Sequence, residues 1–284
     1  MPSIACVNGV YSAPEDARVP IDDRGYVFGD AIYETLRCYG GRVWALERHL
    51  ARFRRSLSEV AIRTDVVEMV RPWIDEAVRR SELPEATVYV QVSRGVAPRQ
   101  HTFDSSLRPT VVVTVRPAEA ISDEVRSRGV DCVTAEDIRW ARRDIKSTNL
   151  LGNVLLKQAA HDKGAFEAIL VEPGGRVTEG SSTNVFVVRN GRAWTAPTDH
   201  HILGGITRDL VLDLAREIGI PTVEEVFNEA ELKAADEVFI SGTLTEVLGV
   251  VTLDGQPVGS GCVGPITKRL YAAYQDRVVK VRDF

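Results

Sequence analysis

Apolar positions along this chain follow two rhythms, and the change from one to the other outlines the fold. Between residues 46 and 62, Leu46, Leu50, Phe53, Leu57 and Val60 recur every three or four positions, the period of a helix with one buried face. A second helix is predicted over 65–80, ending before Pro84. The β-branched runs at 87–93 and 110–115 read as strands, and 3–7 with 9–11 near the start as a strand and turn. Pro117-Ala-Glu-Ala-Ile-Ser-Asp123 breaks the pattern and marks a boundary. Beyond it a strand is predicted at 130–134, a helix at 151–163 and a strand at 167–171. Asn190-Gly191 joins 185–188 to 192–194 as a hairpin, because Asn-Gly favours the two-residue turn with positive φ. A helix at 207–218, a strand at 238–241, a hairpin through Asp254-Gly255 and a helix from Pro265 complete the series. Strands and helices mix without strict alternation. The expectation is an α+β chain of two domains, 1–118 and 124–284, joined by a linker at 119–123.

Composition narrows the function. The 284 residues are 44% hydrophobic and 26% charged, enough for a sizeable core. With 35 basic against 40 acidic residues the net charge is −5, which speaks against nucleic acid as a partner and supplies no basic stripe for a membrane surface. No uncharged apolar run reaches the roughly 18 residues of a membrane span. The start lacks the basic and apolar regions of a signal peptide, so a cytoplasmic location is expected. The four cysteines are scattered without a C-x-x-C pair, and His200-His201 has no carboxylate or histidine at ligand spacing, so no metal is expected.

Only six of the basic residues are lysines, and the first of them is Lys146. It follows Arg142-Arg143-Asp144-Ile145 and precedes an apolar helix; cations and a helix N-terminus nearby would each disfavour an ammonium ion. Such an amine can attack an aldehyde, although the same context also suits a solvated lysine at a helix entry. Lys157 falls on the polar side of its helix, and most arginines read as surface charge. Glu179 lies in a turn rich in glycine and hydroxyls, Val177-Thr-Glu-Gly-Ser-Ser-Thr-Asn184. Ile202-Leu-Gly-Gly-Ile-Thr-Arg208 feeds a helix whose free amides suit a phosphate, and Ser241-Gly-Thr-Leu-Thr245 adds another hydroxyl-rich turn. No G-x-G-x-x-G or P-loop pattern occurs. A lysine, a carboxylate and anion-cradling turns are what a pyridoxal phosphate site requires.

Asp22-Asp-Arg-Gly-Tyr-Val-Phe-Gly-Asp30, Glu136–Trp140, Asp144–Ser147, 149–170 and 177–186 closely resemble the fold-type IV pyridoxal phosphate aminotransferases, over essentially the whole chain. The resemblance implies a small N-terminal α/β sandwich domain and a larger C-terminal pseudo-barrel domain. It makes Lys146 the Schiff-base lysine that also moves the proton, and Glu179 the partner of the pyridine nitrogen. It assigns the cofactor phosphate to Arg52, Ile206, Thr207 and Thr243, and a further cofactor contact to Ser182. Gly242 departs from the hydroxyl residue usual in the family. Arg94-Gly-Val-Ala-Pro-Arg-Gln-His101 is similar to the loop by which the D-amino acid branch brings Arg99 and His101 to a substrate carboxylate, with Tyr33 assisting. In the family that loop crosses a homodimer interface. The implied reaction is ping-pong exchange of amino groups between D-amino acids and 2-oxo acids. Branched-chain L-amino acids, R-amines with pyruvate, and the related aminodeoxychorismate lyase reaction are the alternatives. Leu150 stands where branched-chain enzymes carry a tyrosine, while Thr35 departs from the D-amino acid pattern.

Overall fold

A computed structural model describes residues 3–282. The chain forms two compact units. One comprises the chain up to Glu119, the short stretch Ile145–Asn149 and the chain from Val278 on; the other comprises Ala120–Asp144 and Leu150–Arg277.

The first unit contains β1 (Ile4–Val7), β2 (Val10–Ser12), α1 (Arg24–Phe28), β3 (Ala31–Tyr39), β4 (Arg42–Val43), α2 (Leu46–Glu59), α3 (Val66–Ser81), β5 (Ala86–Ser93) and β6 (Thr110–Pro117). Its antiparallel sheet runs β2-β1-β6-β5-β3-β4. Leu50, Phe53 and Leu57 of α2, with Val70, Ile74 and Ala77 of α3, pack with Ile32, Leu36, Val88 and Val90 in one core, giving a helix layer on a sheet. The nine-residue β3 was not apparent from the sequence. Polar side chains fall on both of its faces: Glu34 is buried toward α2, while Tyr33 and Thr35 lie on the opposite face, so the apolar alternation of a half-buried strand is missing.

The second unit contains α4 (Asp123–Arg128), β7 (Val130–Glu136), α5 (Leu151–Asp162), β8 (Glu167–Val171), β9 (Val177–Gly180), β10 (Asn184–Arg189), β11 (Arg192–Thr195), α6 (Ile206–Glu217), β12 (Thr222–Glu224), α7 (Glu229–Lys233), β13 (Glu237–Gly242), β14 (Glu246–Leu253) and β15 (Gln256–Pro257); α8 (Pro265–Arg282) follows. The sheet runs β12-β11-β10-β13-β14-β7-β8-β9, with β15 on β14. Two crossovers are parallel, β7–α5–β8 and β11–α6–β12. β9 ends the path and β10 lies third within it, yet only residues 181–183 join them, closed by Gly180 N donating to Thr183 O at 2.7 Å. So short a link requires the sheet to curl, which is the half-barrel expected of this unit. The expected boundary at 117–123 holds the start of α4, whose Ser122 hydroxyl accepts from Val125 N.

Cys6, Cys38, Cys132 and Cys262 are free thiols, the first three buried. Among the described residues no helix is long and apolar enough to cross a membrane.

Candidate active site

Lys146 owes its place to backbone pairing. The stretch Ile145–Asn149 lies against the start of β3: Tyr33 N donates to Lys146 O at 3.0 Å and Thr148 N to Ala31 O at 3.0 Å. Ser56 Oγ takes Lys146 N at 3.4 Å. The half-buried side chain then lays its Nζ 4.2 Å from the centre of the Tyr33 ring, which itself stacks on Tyr89 at 5.5 Å. Two expected site residues, Lys146 and Tyr33, therefore meet in this unit.

Behind β3 lies a buried ion cluster that sequence reading did not anticipate. Arg52 grips Glu34 with two parallel bonds, Nε to Oε1 at 2.8 Å and Nη2 to Oε2 at 2.7 Å. His49 Nδ1 lies 2.8 Å from Glu34 Oε2. Burial alone would raise the Glu34 carboxyl, but Arg52 and His49 overcome it and hold it at about 2. Glu34 is therefore an anion, and Nδ1 of His49 must carry the proton between them. Burial pushes the His49 imidazole below its ordinary value, and Lys146 adds to that push. The cluster fixes the Arg52 guanidinium on α2.

Arg99 and His101 are exposed and share one platform, the Phe28 ring, with the Arg99 guanidinium 5.4 Å and the His101 ring 5.5 Å from its centre. Among the described residues no hydrogen bond or ring contact joins Tyr33 to either of them.

In the second unit Glu179 sits on β9 rather than in a turn, and it is buried. Its Oε1 accepts from Arg139 Nη1 at 2.7 Å; its Oε2 accepts from Asn184 Nδ2 and Leu203 N, each at 3.0 Å. Asp137 holds Arg139 through Nε and Nη2 at 2.9 and 2.8 Å, and Thr178 Oγ1 donates to Asp137. Burial pushes the Glu179 carboxyl up to about 6 even though Arg139 opposes it. Such a carboxylate gains most from a cation brought beside it.

Helix α6 begins at Ile206 and Thr207, and Gly205 at its N-cap supplies no side-chain acceptor. A Cβ on Gly205 would lie 1.9 Å from Asn184 Oδ1, so only glycine allows this approach. The first amides of a twelve-residue helix are thus left for an anion. Ser241 Oγ, buried at the end of β13, has no hydrogen-bond partner among the described residues. Thr243 follows it, and Gly242 has room for a side chain, the nearest atom to a Cβ there being Thr183 Cγ2 at 3.6 Å. Ser182 donates its hydroxyl to Glu167 Oε2 at 2.7 Å. Glu167, fully buried, also takes Ser181 Oγ, Ser182 N and Thr183 Oγ1, and so shapes the turn after Glu179.

Several charges lie elsewhere than expected. Lys157 keeps a partly exposed side chain on its helix, and its Nζ bonds Phe166 O and lies 3.6 Å from Glu167. Arg24, Arg94, Arg139 and Arg208 are not surface charge but nearly buried guanidinium groups with carboxylate partners. Arg142 and Arg143, which precede Lys146 in sequence, are engaged by Asp144 and by Glu172 and Asp137. His200 and His201 face different carboxylates, Asp144 and Glu172.

In the first unit an amine on an aromatic face and an anchored guanidinium, and in the second an uncapped helix start, an unpartnered hydroxyl and a buried carboxylate, are each of a kind that pyridoxal phosphate requires. The chain belongs to the class IV aminotransferases: the family profile, amino-transferase class IV, matches residues 31–253. It is an aminotransferase, and pyridoxal phosphate is its cofactor. A D-alanine aminotransferase of Staphylococcus aureus (strain COL) is 41% identical over 275 residues, 95% of each chain. A branched-chain amino acid aminotransferase of Escherichia coli superposes with a TM-score of 0.88 at 28% identity, covering 96% of this chain and 93% of that one. The branched-chain amino acid aminotransferase of T.th., solved with pyridoxamine 5'-phosphate, gives 0.83 at 27% identity, covering 97% and 93%.

Proposed function

We propose that this aminotransferase exchanges amino groups between D-amino acids and 2-oxo acids, of the D-alanine and 2-oxoglutarate type, by a ping-pong mechanism. The observation that carries this is the Arg99–His101 pair on Phe28, a guanidinium and an imidazole displayed together as a carboxylate requires. The 41% identity to relatives named D-alanine aminotransferase supports the same choice. Identity to the branched-chain structures is lower, 27–28%.

When bound, pyridoxal phosphate supplies an aldehyde for the amino group and a ring that absorbs the electron pair left at Cα. Arg52 would bind the phosphate with a guanidinium already oriented by Glu34, so little side-chain entropy remains to be lost. Ile206 N, Thr207 and Thr243 would complete the phosphate contacts, and Ser182 would back the ring. Glu179 would hold a proton on the pyridine nitrogen, with Arg139, Asn184 and Leu203 N keeping both of its oxygens in place. Lys146 Nζ would anchor the cofactor, take the proton from the substrate's Cα and deliver it to the cofactor's C4′. Tyr33 would orient the substrate carboxylate together with Arg99 and His101.

The test is a half-reaction: purified enzyme mixed separately with D-alanine and L-leucine, followed by the cofactor's visible band. Rapid loss of the band with D-alanine and slow or no loss with L-leucine is expected. The reverse order would sink the proposal and favour the branched-chain reading.

A homodimer is proposed with it. Leu151, Val154 and Leu155 expose an apolar stripe on α5. Gly152 brings it against Arg139, beside the exposed Ile138 and Trp140; a Cβ there would lie 3.4 Å from Arg139 Cα. Leu155→Asp should shift the mass measured by light scattering from dimer to monomer, and an unchanged mass would remove this face from the interface. We place the enzyme in the cytoplasm, where its buried free thiols stay reduced.

A further inference from the structure

The loop 95–109 has almost no regular structure of its own, yet its base is tightly held. Gly95 at φ +109 lies so close to Arg108 that a Cβ would come within 2.0 Å of the Arg108 carbonyl oxygen. Arg24 N donates to Gly95 O at 2.9 Å, and Ala97 N to Asp22 O at 3.3 Å. The strongest hold on the loop comes from a side chain 76 residues away: Arg24 Nη1 donates to Gln100 O at 2.6 Å, while its Nη2 donates to His101 O at 3.3 Å.

Arg24 is buried at the first turn of α1, a helix capped by Asp23 Oδ1 on Gly25 N and ended by Gly29 at φ 68. Its charge is met by Asp30, 2.8 Å from Nε, and Asp30 also takes Arg94 Nε and Nη2 at 2.8 and 2.9 Å. Arg94 spends further donors on the carbonyls of Val60 and Ala61, and its guanidinium lies 3.6 Å from the centre of the Phe103 ring. Both buried arginines are therefore committed within the unit. Phe28, one turn along α1, receives Arg24 at 4.8 Å as well as Arg99 and His101.

We propose that Arg24 and Phe28 are specificity-determining positioning residues, which hold Arg99 and His101 at the geometry that receives a substrate carboxylate. This rests on the carboxylate reading of Arg99 and His101 given above. Neither residue needs to touch substrate. Arg24 secures the backbone that carries the two side chains, and Phe28 gives their heads a common π-face, so both are ordered before the carboxylate arrives. A lysine cannot replace Arg24, because one ammonium cannot span Asp30 and two carbonyls with a planar fork. The consequence is confined to carboxylate capture, so proton transfer at saturation is unaffected.

Arg24→Lys, Phe28→Leu, Phe28→Tyr and Arg99→Ala are compared as holoenzymes with D-alanine, with acetate as a competing plain carboxylate. Arg24→Lys and Phe28→Leu should each raise the KM for D-alanine and the Ki for acetate about tenfold while leaving kcat within about twofold. Phe28→Tyr, which keeps the π-face, should restore both constants. Backbone amides of residues 99–102 should exchange hydrogen faster in Arg24→Lys. Parallel losses in kcat with KM unchanged would overturn the inference, as would failure of Phe28→Tyr to rescue Phe28→Leu. If Arg99→Ala raises KM but Arg24→Lys and Phe28→Leu do not, the inference fails alone. If Arg99→Ala leaves KM unchanged, the carboxylate reading falls and takes this inference with it.

Discussion

Lys146→Ala is expected to lower kcat for D-alanine by a factor on the order of 10⁴, the upper end of what a positioned proton-transfer group supplies. If the lysine anchors the cofactor as proposed, the cofactor's visible band should disappear from the purified variant. Folding should survive, because the stretch is held by backbone bonds from Tyr33 and Thr148 and by the buried Ile145, none of which needs the amine. Exogenous methylamine, a free primary amine, should restore part of the rate. An unaltered band and rate would show that another of the five remaining lysines does this work. Lys157 and Lys233 are poor substitutes, being tied to Phe166 O with Glu167 and to Glu229 with Asp254.

Glu179→Gln is expected to reduce kcat/KM by about 10²–10³, comparable to removing one preorganised electrostatic partner of a transition state. Its pH dependence is the sharper readout. Burial lifts the carboxyl from 4.5 to about 6, against the pull of Arg139. Because the folded value lies above the unfolded one, the stability contribution is complete below 4.5 and is lost as pH rises through 6. The loss amounts to about 2 kcal/mol in the cofactor-free protein. A protonated pyridine nitrogen held beside the ionised carboxylate, as proposed, would return it. Wild-type enzyme should therefore bind pyridoxal phosphate progressively more tightly from pH 5 to 7 relative to Glu179→Gln. The unfolding temperature of the cofactor-free wild type should fall relative to the variant over the same range. Parallel profiles for the two proteins would remove Glu179 from the pyridine nitrogen.

Much of the architecture was readable because local rules and tertiary burial agree. Helices expected over 46–62, 151–163 and 207–218 appear as α2, α5 and α6 with ends shifted by a few residues, and Asn190-Gly191 turns the β10–β11 hairpin. Disagreement is concentrated where charge is buried. β3 escaped notice because Glu34 and Arg37 lie buried where apolar residues would have signalled a strand. Arg139 lay inside a segment that carried the family resemblance, but its partner Glu179 is 40 residues further on, and no local pattern announces the pair. The Asp137-x-Arg139 spacing was the one available sign, since residues two apart can share a bidentate bond across a bend. Arg24 lies in the segment Asp22–Asp30, and no local pattern announces its partners 76 and 77 residues away. An arginine-rich composition hides such residues, because an anchoring guanidinium and a solvated one are the same letter.

The placement of Lys146 also bears on how this protein can be taken apart. The first unit borrows Ile145–Asn149 from a stretch of chain flanked on both sides by the second. A gene fragment ending at Glu119 would encode the helix layer and the whole six-stranded sheet, yet not the amine. A fragment beginning at Ala120 would carry the amine without β3, whose backbone receives it. Splicing one unit onto a relative's other half would therefore separate the Lys146 side chain from its seat at either cut. Chimeras that exchange specificity must keep 145–149 with the partner of their first unit, whatever the order of the chain suggests.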